Sequence, residues 1–107
     1  MTNFNMNKDR QIEVFNDIMV KSSAILSSKG EDYATQDVLS NFKLAGNITG
    51  ISAELNCLNL IATKVARLGV LLNNKNEPNN ESIEDSCIDG LNYFILLIML
   101  LKDKENE

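Results

Sequence analysis

Residues 94–101, Phe-Ile-Leu-Leu-Ile-Met-Leu-Leu, form the longest uninterrupted apolar run of this 107-residue chain, and they close a segment whose apolar residues otherwise recur at helical spacing. A bilayer-spanning helix needs about 20 such residues, so a run this short marks a buried helix end and predicts no membrane span. A helix that is apolar all round has to be enclosed on every side. A chain of this size buries only roughly 60–70% of the surface that its unfolded form exposes, too little for three helices to enclose that end by themselves. The run therefore predicts an all-α domain whose core is completed by oligomerisation, as a homo-oligomer of two or more copies.

Strand-like alternation is nearly absent, whereas apolar residues recur every three or four positions in three long segments separated by Gly- and Asn-rich breaks. The first helix is expected over 8–28, with Ile12, Phe15, Met19 and Leu26 on its stripe and Gly30 as its stop. The second is expected over 52–73, N-capped by Ser52, with Leu55, Leu58, Ile61, Val65, Leu68 and Leu72 on its apolar side. The third is expected over 82–102, with Ile83, Cys87, Leu91, Phe94, Ile98 and Leu101 on one side. The connection 29–50 is long for a bundle and is expected to hold a short helix near 36–45, with Val38, Leu39, Phe42 and Ala45 turned inward. The single proline lies in the polar stretch 73–80, which reads as a loop. The expected architecture is one domain over 1–107.

Composition excludes several functions. Fifteen acidic residues outweigh ten basic ones, the net charge is −5 and the pI is about 4.7, the opposite of a duplex nucleic-acid binder. With no histidine, imidazole chemistry is absent, and any catalysis rests on carboxylates, Lys, Tyr, Ser/Thr or Cys. Cys57 and Cys87 lie in helical, apolar surroundings outside any CxxC pair and read as small buried thiols. The first residues lack the apolar core of a secretion signal, which points to a reducing cytoplasm.

The polar residues within the helices are the candidate chemistry. Asp85, Asp89 and Asn92 fall at i, i+4 and i+7 on one stripe of the third helix. Like charges four apart repel by roughly 0.2–0.5 kcal/mol unless a cation sits between them. A hard divalent ion such as Mg²⁺ satisfies two carboxylates, and so does a basic side chain. Lys64 and Arg67, three apart on the second helix, fit a phosphate: Arg as a planar fork, Lys as a point charge. They equally fit as partners for Asp85 and Asp89. After the first helix, Lys29-Gly30-Glu31-Asp32-Tyr33-Ala34 suits a loop folding over a ligand, with Tyr33 available to stack on a base or to anchor the loop on the core.

Three segments together, Lys29-Gly30-Glu31-Asp32-Tyr33-Ala34, Ile61-Ala62-Thr63-Lys64-Val65-Ala66-Arg67-Leu68, and Glu81-Ser82-Ile83-Glu84-Asp85-Ser86-Cys87-Ile88-Asp89-Gly90-Leu91-Asn92-Tyr93, resemble the phage and bacterial nucleotide-modification-associated domain family over residues 29–101. That family is similar to the all-α nucleoside triphosphate pyrophosphohydrolases, helical bundles that assemble as dimers or tetramers and cleave between the α and β phosphates with Mg²⁺. The resemblance implies that Asp85 and Asp89 are catalytic and hold the metal with help from Glu54 or the Glu31/Asp32 loop. It implies further that Asn92 and Tyr93 line the nucleotide site and that Lys64 and Arg67 meet phosphates, with Tyr33 and Asp32 of the loop as candidates for the same ligand. The chain departs from the pyrophosphohydrolase pattern of four carboxylates in two Glu-x-x-acid pairs: Glu54 is followed by Cys57 at the place of the second glutamate, and the acids of the third helix are four apart.

Three functions are compatible with these residues. The first is a Mg²⁺-dependent nucleotide pyrophosphohydrolase. The second is a non-catalytic sponge on the same scaffold, sequestering a nucleotide or a cyclic-nucleotide defence signal as an anti-defence protein. The third is an interaction module whose apolar last helix docks a protein.

Overall fold

A computed structural model describes residues 5–32, 39–73 and 80–105. Those residues form four helices and no strand: α1 (Lys8–Asp32), α2 (Ser40–Thr49), α3 (Ala53–Asn73) and α4 (Asn80–Glu105). The ends follow local chemistry. Asn7 caps α1, its Oδ1 accepting the Arg10 N–H at 2.8 Å. Gly50 adopts the left-handed conformation (φ 80°) after α2 and donates its N–H to the Gly46 carbonyl, and two residues later Ser52 caps α3, its Oγ accepting the Leu55 N–H at 3.1 Å. Lys102 and Lys104 occupy the last turn of α4, where cations favour the exposed carbonyls.

Two boundaries differ from the sequence reading. Gly30 does not stop α1, which continues through it to Asp32. A glycine inside a helix costs about 1 kcal/mol relative to alanine, which weakens a helix without breaking it. The short helix begins at Ser40, later than expected, because Leu39 sits just outside it with its side chain in the core, its carbonyl accepting from the Phe42 and Lys43 N–H groups.

The helices form an open arrangement built on an α3–α4 hairpin. α2 packs on α3, and α1 packs on α4. The core lies between α2, α3 and the C-terminal half of α4: Leu39, Cys57, Ile61 and Leu100 are buried, with Phe42, Ala53, Tyr93, Leu96 and Leu97 packed around them. Cys57 is fully buried and its thiol donates to the Tyr93 carbonyl at 3.3 Å. Lys43 of α2 reaches Asp103 of α4 at 2.8 Å and ties the two together over the end of α3. α2 turns so tightly onto α3 that a Cβ at Gly46 would lie 2.8 Å from the Ile51 carbonyl oxygen.

Burial is sparse for a chain so rich in apolar residues. Five hydrophobic residues are buried, whereas seventeen large ones are exposed among the described residues. The run 94–101 is not enclosed within the protomer: Phe94, Ile98, Met99 and Leu101 remain 41–53% exposed. Cys87, read from the sequence as a buried thiol, is exposed, because it lies on a side of α4 that neither α1 nor α3 covers. The radius of gyration is 16.8 Å, against about 13 Å for a compact domain of this length. By length and composition α3 is apolar enough to cross a bilayer, with a mean hydropathy of 1.4. Lys64 and Arg67 near its centre oppose that placement by about 2.5–3.5 kcal/mol each.

Candidate functional site

Packing of α3 on α4 brings part of the predicted set together. Lys64 is one turn past Ile61 on the side of α3 that faces α4, and its Nζ lies 3.2 Å from Asp89 Oδ2, each side chain being roughly 30% exposed. The pairing of Lys64 with an acid, one of the two alternatives left open by the sequence, is the arrangement present. Asp85, one turn before Asp89, is exposed. Arg67, one turn beyond Lys64, is exposed and no acid pairs with it among the described residues.

Asn92, a turn beyond Asp89 on the same stripe, is buried to 3% exposure where α1 meets α4. Its Oδ1 accepts a hydrogen bond from the hydroxyl of Ser22, itself buried. The Nδ2 of Asn92 is buried with no hydrogen-bond partner. An unpaired buried donor costs about 1–3 kcal/mol, so this group is the one clear point of unmet hydrogen bonding at the site. Beside it, Lys21 of α1 donates to Glu84 of α4 at 2.7 Å, with Asp85 and Asp17 nearby. The hydrogen bond to Glu84, then the charges of Glu84, Asp85 and Asp17, hold the Lys21 ammonium above its ordinary pKa.

The other predicted residues fall elsewhere. Tyr93, about 100° round α4 from Asn92, is half-buried against the core instead. Glu54 starts α3 ten residues before Lys64, about 15 Å along the helix axis. It lines a hollow of about 170 Å³ with Lys43, Leu100, Asp103 and Lys104, so it does not join Asp85 and Asp89. Among the described residues no three acids, cysteines or histidines gather as metal ligands. Tyr33 lies outside the described residues; Asp32 ends α1, and its side chain lies outside them too.

Sequence reasoning passed over Ser22 and Lys21. The signal was present in the stripe 12, 15, 19, 22, 26 of α1, where Ser22 is the one polar member. A hydroxyl in an apolar stripe asks for a partner on the facing helix, and Asn92 supplies it. The site as a whole is a polar seam along α4, which meets α1 through Lys21–Glu84 and Ser22–Asn92 and α3 through Lys64–Asp89, with Asp85 and Arg67 exposed and the Asn92 amide donor unpaired. No family model, no curated protein and no solved structure matches the chain.

Proposed function

We propose that the chain is a small helical nucleotide-binding protein that holds its ligand in the polar seam between α1, α3 and α4. The observation that carries this reading is the buried, unpartnered Nδ2 of Asn92, one turn from the Lys64–Asp89 pair. An amide donor with unmet bonding fits an acceptor atom on a base or sugar. Arg67, with no acid partner among the described residues, fits a phosphate, and Lys64 is freed for a second when the phosphate displaces Asp89. The resemblance of residues 29–101 to the nucleotide-modification-associated domain family supports the same ligand class.

Binding without turnover fits better than Mg²⁺-dependent hydrolysis. Metal-assisted attack on a phosphate needs carboxylates that fix the ion and a positioned water. Here Asp89 is engaged by Lys64 and Glu54 sits at the far end of α3. The sponge reading is therefore preferred to the pyrophosphohydrolase one.

Titrating the protein calorimetrically with nucleoside mono-, di- and triphosphates and with cyclic dinucleotides, each with and without Mg²⁺, tests the proposal. At least one is expected to bind without Mg²⁺ and to be recovered intact after denaturation. Release of pyrophosphate would establish the enzymatic reading instead. Silence from every nucleotide, with the helical spectrum intact, would remove the ligand class altogether.

A further inference from the structure

We infer that the uncovered face of the α3–α4 hairpin is the docking surface for a second copy of this chain, which completes an antiparallel four-helix core. The helical wheel locates that face. With about 100° per residue, Cys57, Ile61 and Lys64 mark the side of α3 turned to α4, and Leu55, Leu58, Val65 and Leu72 centre about 90° round from it. On α4, Asp89, Tyr93 and Leu100 mark the side turned to α3, and Phe94, Ile98 and Leu101 lie about 130° round. The two helices of a hairpin run in opposite directions, so these two rotations lead to the same side. α1, through Asn92, and α2, through Ala53 and Asn56, sit on the other side. The seven large residues of the open face are 47–67% exposed; no charged residue falls on the stripes between Leu55 and Leu72 or between Phe94 and Leu101, and Glu54 and Glu105 lie at their ends.

The glycines of α3 and α4 add an independent observation. Gly69 and Gly90 both lie on this face, and a Cβ at either would meet nothing within 4 Å. Each weakens its helix, and nothing in the protomer uses the missing side chain. A second helix passing close above them does.

The stripe of α3 also suits its own copy. Leu55, Leu58, Ala62, Val65, Gly69 and Leu72 step by 3, 4, 3, 4 and 3. Laid antiparallel on itself, it sets Leu58 over Gly69 and Val65 over Ala62, so that bulk meets space there, while Leu55 and Leu72 meet each other at the two ends, each contact occurring twice as an isologous contact requires. The hairpin face measures about 30 Å by 20 Å, roughly 600 Å² in projection, near the ~800 Å² of accessible area per partner in stable complexes. A membrane-binding face would be bordered by Lys and Arg. This one belongs to a chain of net charge −5, so a second copy is the better occupant.

Sedimentation equilibrium on the purified chain is expected to give twice the protomer mass, and Val65→Glu with Phe94→Glu the protomer mass with helical dichroism retained. Val70→Glu, at an exposed α3 position off the face, serves as control and leaves the dimer intact. Gly69→Ala separates interface from fold. In a dimer of this kind it raises the dissociation constant by about tenfold, or 1.4 kcal/mol, whereas in a monomer it only raises the melting temperature. Labelling of Cys87 by a thiol reagent is expected to slow as concentration rises. A wild-type chain that is monomeric at millimolar concentration would overturn the inference, as would dissociation by Val70→Glu but not by the face variants. So would recruitment of the monomer to lipid vesicles through the same residues. These readouts need no nucleotide, so they stand or fall apart from the ligand site.

Discussion

Asn92 and Ser22 illustrate how one pair of residues decides between stability and function. Removing the amide by Asn92→Leu takes away the unmet donor and the acceptor of the Ser22 hydroxyl together, and a buried hydroxyl finds a bond in its own helix through the i−4 carbonyl. The double variant Ser22→Ala, Asn92→Leu is therefore expected to match or exceed the wild type in chemical denaturation, by up to about 1–3 kcal/mol, while losing nucleotide binding. A variant that loses stability and retains binding would show the pair to be structural. The two cysteines separate as clearly. Burial pushes the Cys57 thiol above its ordinary pKa of 9.0. A folded-state pKa that is raised contributes stability present below the unfolded value and lost as pH rises through the folded one, so stability is expected to fall from about pH 9 upward. Lys21, also raised from 10.5, adds to the loss in the same direction at higher pH. In Cys57→Ala the onset of that alkaline decline moves up in a pH series of melting curves.

At the scale of the elements, the turn between α2 and α3 is the most demanding part of the chain. Gly46 lies against the Ile51 carbonyl at a distance that a methyl cannot occupy, and Gly50 holds a positive φ. Gly50→Ala is expected to cost about 1–2 kcal/mol from the left-handed conformation alone. Gly46→Ala is expected to cost more, because backbone has to move; Gly90→Ala, with no neighbour within 4 Å, is the comparison within the protomer. Ser52→Ala, which removes the α3 cap, is expected to cost about 1 kcal/mol. Denaturant midpoints of the four variants give the order. Much of this element level is legible in the sequence: periodicity places α3 and α4 within a few residues, and Ser52 announces a helix start. Gly30 shows the limit, since a glycine signals a stop only when the chain beyond it has no reason to remain helical, and α1 runs on for two more residues.

For the whole molecule, the excess of exposed over buried apolar side chains governs behaviour. Ile61→Ala, in the one small core, is expected to cost about 2–5 kcal/mol, whereas Val65→Glu, four residues on, is expected to leave the protomer folded and change only its association. Sequence periodicity put Ile61, Val65, Leu68 and Leu72 on one apolar side; in the structure Ile61 turns to α4 and Val65 to open space. A wide stripe of that kind serves two neighbours, and period alone has no means of dividing it between them. By itself, the sequence determined that the chain is helical and where its long helices run, because spacing and caps act within a few residues. It also determined that Asp85, Asp89 and Asn92 share one stripe, since helical rotation is fixed. Only the tertiary structure decided that Lys64 meets Asp89, that Asn92 is buried against Ser22 with its amide unpaired, and that the uncovered side of the hairpin is the one carrying Gly69 and Gly90. Those are contacts between residues 25 to 70 positions apart, and they depend on how the helices pack on one another.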